Sequence, residues 1–317
     1  MMPSVGLRFS GVGAYLPPTI VTNDDLSATM DTSDEWIRER TGITERRIGG
    51  TTTELAVEAA RAAMADAGAT PDSIDHVILA TTTPDQMCPA TSTAVARELG
   101  LSCGAVDVQA VCSGWVYGLV IANGFLLQGM KKILLIGAES LDRVTDYTDR
   151  GTGILFGNGA AAVILEPEPS MAGQILGYDL GADGNFDHIL YIDHGSTWSM
   201  DGKEVFRQAV KAIVTSTNNT LAMAGLTTAD VDFVIPHQAN VRIVEAAWKR
   251  LGFTMEQTSL VLDRTGNTSS ASIPLALDDA LNRGRINDGD KVLFVGFGAG
   301  MTWGSTLVTW AGKHDNN

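Results

Sequence analysis

A cysteine at residue 112 has the sequence context of a nucleophile. An apolar run over 106–111 predicts a strand that ends just before Cys112, and an amphipathic helix is predicted to begin at Ser113. Unpaired N–H groups and the helix dipole lower the pKa of a thiol there, and the thiolate is the nucleophilic form. We therefore expect Cys112 to have a lowered pKa and to act by covalent catalysis. Burial as a small apolar side chain is the alternative, and it suits Cys88 and Cys103 better.

Two polar side chains occupy similar junctions later in the chain. His237 follows a predicted strand and Pro236, and a predicted helix comes after it. A helix N-terminus favours the neutral imidazole, which can donate a hydrogen bond to a developing oxyanion. Asn267 precedes a helix predicted to start around 269–271, and its amide offers a second donor that does not titrate. A structural histidine and a helix-capping asparagine are the alternatives when each residue is taken alone.

An internal repeat indicates how these junctions are brought together. Residues 63–80 resemble residues 221–237, and the segments KKILLIGAES and DKVLFVGFGA keep nearly the same separation. Helices that alternate with strands apolar on both faces indicate a largely parallel sheet covered by helices. We predict an α/β fold of two stacked, similar layers, with the nucleophile in residues 1–170 and the histidine and asparagine in residues 171–317. Chance similarity between Ala-rich segments is the alternative.

Composition excludes several classes of protein. The 317 residues include 22 Lys+Arg and 37 Asp+Glu, a formal net charge of −15, which opposes binding to nucleic acid or an anionic membrane. No apolar stretch approaches the roughly 20 residues that span a bilayer, and we find no signal peptide. Three scattered cysteines are too few for a disulfide framework or a CxxC metal site. We therefore expect a cytoplasmic protein without a metal ion.

A glycine-dense segment near the end of the chain superficially suggests a dinucleotide loop. The segment GFGAGMTWGS is followed by the strand-like STLVTW rather than by a helix, so the phosphate-binding mechanism is missing and we expect no NAD. We expect instead a turn whose backbone approaches a reacting centre and presents an N–H group.

Two clusters of positive charge stand out in this acidic chain. They are Lys203, Arg207 and Lys211 on one predicted helix, and Arg242, Lys249 and Arg250 on the helix after His237. Solvated surface charge is the usual interpretation. Beside a candidate active site, they predict docking of an acidic carrier or of a phosphorylated cofactor.

Taken in order, the segments AVCSG, PHQAN, GNTSSASIP and FGAGMTWG resemble those of the ketoacyl-acyl carrier protein synthase III family, in the thiolase-like superfamily. The segments DTSDEWIRERTGITERR, DRGTGILFGNGAA and MDGKEVFRQAV also follow the family in order. The resemblance therefore covers nearly the whole chain. It implies a duplicated five-layered αβαβα fold and a homodimer.

The resemblance also implies a reaction in two stages. Cys112 would take an acyl group from coenzyme A, and the enolate of malonyl-acyl carrier protein, formed with loss of carbon dioxide, would attack it. The product would be a 3-oxoacyl carrier protein that starts type II fatty acid synthesis. His237 and Asn267 would stabilise the enolate, and the N–H groups of Cys112 and Ala299 would hold the oxyanion of acyl transfer. Coenzyme A would be a substrate, with no permanently bound cofactor.

Binding roles follow from the same resemblance. Trp36 and Arg150 would sandwich the coenzyme A adenine, Asn240 would bond the pantetheine arm, and Phe206 would line its tunnel. Phe156 would belong to the same substrate site.

The carrier protein would dock on Arg242 and Lys249.

Two residues depart from the family pattern. Cys88 stands where many members carry an aromatic residue that borders the acyl pocket across the dimer, which predicts a roomier pocket. Asn158 replaces the usual Asp of a glycine-rich segment, and the sequence gives no reason for it.

Two other functions compete with this interpretation. A related enzyme of secondary metabolism could use another acceptor or a longer acyl donor. A binding module for acyl carrier protein or coenzyme A is the alternative outside enzymes, but it has no need of a nucleophile. The length and branching of the primer stay open.

Overall fold

The computed structural model describes residues 6–168 and 172–312, where helices and strands alternate along most of the chain. The strands are β1 (Gly6–Tyr15), β2 (Thr19–Thr22), β3 (Glu45–Ile48), β4 (His76–Ala80), β5 (Gly104–Val108), β6 (Ile133–Glu139), β7 (Gly159–Glu168), β8 (Ile175–Ala182), β9 (Leu190–Tyr191), β10 (Ser199–Met200), β11 (Phe233–Pro236), β12 (Lys291–Gly298) and β13 (Thr302–Thr309). The α-helices are α1 (Asn23–Ser27), α2 (Asp34–Thr41), α3 (Thr52–Ala67), α4 (Thr91–Glu98), α5 (Gly114–Leu127), α6 (Gly202–Ala224), α7 (Val241–Leu251), α8 (Leu262–Thr265) and α9 (Ser272–Asn282).

Two sheets carry the architecture. The first has the order β1-β7-β6-β4-β5 and the second β8-β13-β12-β11, so matching parts of the repeat occupy matching places. Strand β4 is parallel to β5 and β6, and β11 is parallel to β12, but the remaining neighbours are antiparallel. The prediction of a largely parallel sheet is therefore wrong. No α-helix lies between β6 and β7 or between β12 and β13, and without such a crossover a returning strand pairs antiparallel.

Helices form three layers around the sheets. Helices α3 and α4 pack on the outer side of the first sheet, and α6 covers the outer side of the second, with α7 beside it. Helices α5 and α9 contact strands of both sheets and so lie between them. The order of layers is αβαβα, as predicted. Helices on both faces explain why the strands are apolar on both faces.

The repeat seen in the sequence is a repeat of structure. Helices α3 and α6 end at Gly68 and Gly225, whose φ angles are 61° and 68°. Each is followed by a short 3₁₀ turn and then by β4 or β11. Asp75 and Asp232 each accept a backbone hydrogen bond from the chain near the start of β6 or β12. The proposed boundary between the halves falls at 169–171, outside the described residues, so that division stays a prediction.

Each half contributes a turn of unusual backbone conformation. The 3₁₀ turns at 111–113 and 269–271 lead directly into α5 and α9. Both begin with a non-glycine residue in the left-handed region, Val111 at φ 49° and Ser269 at φ 47°. Such a conformation is costly for a β-branched residue and persists only where surrounding packing holds it.

The central strand of each sheet packs against the turn of the other half. A Cβ atom added to Gly296 of β12 would lie 3.3 Å from the carbonyl oxygen of Cys112. A Cβ atom added to Gly137 of β6 would lie 2.5 Å from the carbonyl oxygen of Ser270. The two halves are therefore joined by backbone-to-backbone packing at the positions where the site is built.

Strand β1 also requires glycine, where it crosses α3. A Cβ atom on Gly13 would lie 2.3 Å from the backbone nitrogen of Ala63, and neither backbone can yield. We expect Gly13→Ala to lower the free energy of unfolding by about 3 kcal/mol or more. Gly124 lies inside α5 with nothing within 4 Å of an added Cβ atom. Gly124→Ala should therefore raise the free energy of unfolding by up to about 1 kcal/mol. Urea denaturation measures both, and equal effects would contradict the packing argument.

Candidate active site

A cavity of about 440 Å³ brings together the three residues predicted to react. Its lining includes Cys112 from the turn before α5, His237 from the end of β11, and Asn267 from the segment before α9. The two halves of the chain therefore supply one site between them. The chemical roles of the three residues stay predictions.

Cys112 is only 5% exposed, because strand β12 passes directly over its turn. A Cβ atom on Gly298 would lie 2.8 Å from the nitrogen of Cys112, so the backbone approach predicted for this glycine segment is present. Burial raises the pKa of the Cys112 thiol to about 12. A hydrogen bond with Ser269 lowers this pKa, and the negative charge of Glu139 raises it further. The predicted lowering of the pKa is therefore wrong, because burial of the thiol is the largest influence on it. The thiol is protonated at neutral pH and must lose its proton as it attacks.

His237 is buried and neutral. Burial lowers the pKa of its imidazole to about 3, so the expected neutral form has burial, rather than a helix terminus, as its cause. Nδ1 lies 2.6 Å from Oγ of Ser272, and Nε2 has no hydrogen-bond partner in the described part of the chain. The ring of Phe297 meets the imidazole edge-on, with centroids 5.3 Å apart. Because a hydroxyl can donate or accept, Ser272 supports either neutral tautomer and leaves Nε2 for a substrate.

Asn267 is held so that its amide nitrogen is available. Oδ1 accepts a hydrogen bond of 2.9 Å from the backbone N–H of Ser269, and the backbone N–H of Asn267 donates to the carbonyl of Leu155 at 2.8 Å. Within the described residues, none of these bonds uses Nδ2. The side chain therefore both caps the turn and offers a donor, so the two interpretations of Asn267 are compatible.

Sequence analysis missed the carboxylate that joins the two halves beneath the site. Glu139 is fully buried at the end of β6 and accepts hydrogen bonds from the backbone of Thr82, Thr83 and Ser270. The hydroxyls of Thr83 and Ser270 also donate to it, at 2.7 and 2.8 Å. It thereby fixes the turn that holds Asn267. The available signal was a charged residue that closes an otherwise apolar strand.

The predicted adenine slot has a different arrangement from the one expected. The guanidinium of Arg150 lies 3.9 Å from the ring centroid of Trp36, and that of Arg40 lies 4.4 Å from it. A base cannot lie between Arg150 and Trp36 at that distance. The expected sandwich therefore requires Arg150 to move away from the indole.

The other predicted substrate-binding residues differ in their placement. Asn240 lines the cavity, but its Oδ1 caps α7 and its Nδ2 donates to the carbonyl of Arg40 at 2.9 Å. Phe156 and Phe206 also line the cavity. Ala299 lines a neighbouring cavity, and Cys88 is exposed and absent from the lining of the reaction cavity.

The basic residues are only partly beside the cavity. Arg242 lines it, whereas Lys249 lies two turns further along α7 and is exposed. Neither forms an ion pair with a described carboxylate. In the other cluster Lys203 lines the cavity, but Arg207 is paired with Glu204 at 2.6 Å, which removes much of its attraction for a partner.

Searches for two other kinds of site gave negative results for the described residues. Across 6–168 and 172–312, no three His, Cys, Asp or Glu side chains cluster in a way that could hold a metal ion. In the same ranges, every helix is too short or too polar to span a membrane.

Comparison with known families gives two matches. The family described as 3-oxoacyl-[acyl-carrier-protein (ACP)] synthase III matches residues 106–184, and its C-terminal family matches residues 221–310. Relatives named beta-ketoacyl-[acyl-carrier-protein] synthase III include one from Erythrobacter litoralis, 48% identical over 95% of this chain and 98% of the relative. Another from Xanthomonas campestris pv. campestris is 47% identical, over 96% and 98%.

Solved structures agree with these matches. The 3-oxoacyl-[acyl-carrier-protein] synthase III of Aquifex aeolicus has a TM-score of 0.93 and 40% identity, covering 96% of this chain and 100% of that one. The priming beta-ketosynthase of the R1128 polyketide pathway has a TM-score of 0.91 and 34% identity, covering 98% of both chains.

The duplicated five-layered fold and these likenesses place the chain among the thiolase-like acyltransferases. Within that class it belongs to the 3-oxoacyl-[acyl-carrier-protein] synthase III family, which relatives at 47% identity match over nearly its full length. The fold, family and enzyme class predicted from the sequence are thereby confirmed.

The structure shows which groups the side chain of Asn158 holds together. Its side chain is fully buried. Oδ1 accepts from the backbone N–H of Asp142 at 3.0 Å, and Nδ2 donates to Oδ1 of Asp142 at 2.8 Å and to the carbonyl of Gly49 at 3.2 Å. An aspartate at 158 would set two carboxylate oxygens against each other, so the carboxylate at 142 requires a donor at 158.

We expect Asn158→Asp to lower the free energy of unfolding at pH 7 by about 3 kcal/mol, because it buries a second charge beside Asp142. Repulsion raises the folded-state pKa of the pair, so the loss grows as pH rises through the unfolded pKa. It should become small at about pH 3, below the unfolded aspartate pKa of about 3.9, where the carboxyls are largely protonated in both states. Urea denaturation at both pH values measures this. The double variant with Asp142→Asn should recover part of the stability, and no loss at pH 7 would refute the explanation.

Proposed function

We propose that this enzyme condenses an acyl-CoA primer with malonyl-acyl carrier protein, releases carbon dioxide, and yields a 3-oxoacyl-acyl carrier protein. This reaction initiates type II fatty acid synthesis. The observation that carries the proposal is the meeting of Cys112, His237 and Asn267 in one cavity of a chain that belongs to the synthase III family.

In the first stage, Sγ of Cys112 attacks the carbonyl carbon of the acyl-CoA, and the bond from that carbon to the sulfur of coenzyme A breaks. Because burial raises the pKa of the thiol to about 12, its proton has to leave during the attack. Nε2 of His237 receives the proton while Nδ1–H donates to Ser272, and it then passes the proton to the departing sulfur. The N–H groups of Cys112 and Ala299 hold the oxyanion.

In the second stage, the malonyl carboxylate leaves as carbon dioxide, and its electron pair forms an enolate. Nε2–H of His237 and Nδ2–H of Asn267 donate to the enolate oxygen, where charge develops. The enolate carbon attacks the acyl carbonyl on Cys112, the bond from that carbon to Sγ breaks, and the thiolate that leaves takes up a proton from water. The imidazole pKa of about 3 keeps His237 neutral, with the hydrogen on Nε2 when the Ser272 hydroxyl donates to Nδ1.

Docking of the carrier protein belongs to the same proposal. Arg242 lies at the cavity and Lys249 follows it on α7, both without a described carboxylate partner. An acidic carrier is repelled by most of a chain with net charge −15, so these two positive charges favour one docking face.

The open edge of the first sheet supports pairing with a second copy of the chain. Strand β5 pairs only with β4 in the described structure, and its open edge carries Val106, which is 38% exposed. An open apolar edge is a template for pairing with another strand. Asp107 of β5 accepts from the backbone of Thr91 and Ser92, which holds the loop that carries Cys88 beside this edge. We therefore propose a homodimer formed along β5.

Val106→Lys tests the dimer by placing a charge on that edge. We expect it to shift the protein toward monomer in sedimentation velocity at micromolar concentration. Met223→Lys, at a side chain 60% exposed on α6, is the matched control and should leave the dimer intact. A dimeric Val106→Lys protein, or a monomeric wild type, would refute this interface.

A cytoplasmic location remains part of the proposal. It is supported by the three cysteines, all of which are free.

The polyketide priming synthase among the structural neighbours favours a second candidate, in which the acyl group passes to an acceptor of secondary metabolism. A panel of malonyl and other acceptors on different carriers separates the two.

Mass spectrometry of the intact protein tests the mechanism. Wild type should gain the mass of the acyl group from an acyl-CoA, and Cys112→Ala should gain none. Asn267→Ala should still be acylated, but its condensation with malonyl-acyl carrier protein should fall by about 100-fold or more, as for loss of one oxyanion donor. Unimpaired condensation by Asn267→Ala would contradict the role assigned to Asn267. Absence of acylation in the wild type would remove Cys112 as the nucleophile.

A further inference from the structure

A second cavity adjoins the reaction cavity. Its volume is about 640 Å³, and its lining includes Val111, Val144 and Ala299. Val111 directly precedes Cys112, and Ala299 directly follows Gly298, whereas Cys112 and Gly298 line the reaction cavity. The two cavities therefore lie on opposite sides of the same two backbone segments.

The indole of Trp198 stands between the two cavities. Of the described residues that line them, Trp198 is common to both. It is 5% exposed, and its ring stacks on Phe156 with centroids 5.1 Å apart and planes 18° apart. Its backbone N–H donates to the carbonyl of Val144 at 3.1 Å. The indole is therefore held in place by packing on one side and by an anchored backbone on the other.

The size of this ring, rather than its polarity, is what the site uses. Nε1 of Trp198 is buried and has no hydrogen-bond partner in the described part of the chain. A buried donor without an acceptor costs stability, which a purely structural apolar side chain would avoid. The indole therefore contributes bulk where the two cavities adjoin.

We propose that Trp198 is a specificity-determining residue that restricts the acyl primer to short chains. The proposal rests on the proposed function, because it concerns the acyl group carried by Cys112. An acyl chain that extends from Cys112 along Phe156 meets the indole. Methylene groups beyond that point overlap with a ring that packing holds in place, and overlap in a packed site is unfavourable.

Removal of the indole joins the two cavities. Beyond the ring, Val111, Val144 and Ala299 offer apolar surface to a hydrocarbon chain, in a lining that also holds polar and charged residues, among them Gln109, Arg143 and Asp193. A longer primer would then bury its added methylene groups there, and such burial is favourable in proportion to area. Trp198 therefore separates the acyl group in the reaction cavity from the larger second cavity.

The test is the rate at which acetyl-, butyryl-, hexanoyl- and octanoyl-CoA acylate Cys112, measured by intact-protein mass. Wild type should react fastest with acetyl-CoA and progressively more slowly with hexanoyl- and octanoyl-CoA. In Trp198→Ala the ratio of octanoyl to acetyl rates should rise by about tenfold or more, in line with what a few methylene groups contribute to discrimination. Trp198→Leu, which keeps an apolar side chain, should show a smaller change in the same direction.

Tyr191→Ala is the matched control, because Tyr191 pairs with Ser199, directly after Trp198, but lines only the second cavity. It should keep the wild-type profile, and acetylation of every variant reports that its site is folded. A wild type that accepts octanoyl-CoA as readily as acetyl-CoA, or Trp198 variants with an unchanged profile, would overturn the role of Trp198 alone. Failure of every acyl-CoA to acylate the wild type would overturn the proposed function, and this role with it.

Discussion

The close packing of two glycine-bearing strands against two turns is the constraint on which the site depends. Gly296 and Gly298 of β12 lie against the turn of Cys112, and Gly137 of β6 lies against the matching turn of the second half. A side chain at these glycines would meet backbone, so the approach requires glycine, and hydrogen bonds of Ser270 to Glu139 add to it at the second turn. The same contacts hold two turns in a left-handed conformation that an isolated segment would abandon.

This packing buries the reacting groups, and burial determines their charge. A thiol pKa of about 12 and an imidazole pKa of about 3 leave Cys112 and His237 both neutral at rest. A thiolate–imidazolium pair would have to be stabilised at two buried side chains, where charges are costly. A neutral pair avoids that cost and lets one imidazole act as proton acceptor in one stage and as hydrogen-bond donor in the other. Ser272 makes both possible, since its hydroxyl can rotate.

The parts of this structure that local pattern determines could be predicted, and the parts that distant contacts determine could not. A strand, a turn and a helix around Cys112, and the repetition of that unit, follow from apolar spacing along the chain. The thiol pKa did not follow, because it depends on strand β12 and on Glu139, which are remote in sequence. The role of Asn158 could not be predicted for the same reason, because it depends on a hydrogen bond to the carboxylate of Asp142. Trp198 carries no sequence signal, because a wall between two cavities exists only after folding.

The order in which a ribosome makes the chain gives the reciprocal packing a further meaning. Cys112 is synthesised before β12 and β13, which come from residues 291–309. A nascent chain without these strands has the cysteine but lacks the backbone that confines it. The turn of Cys112 therefore gains the backbone that confines it only after residues 291–309 have been made.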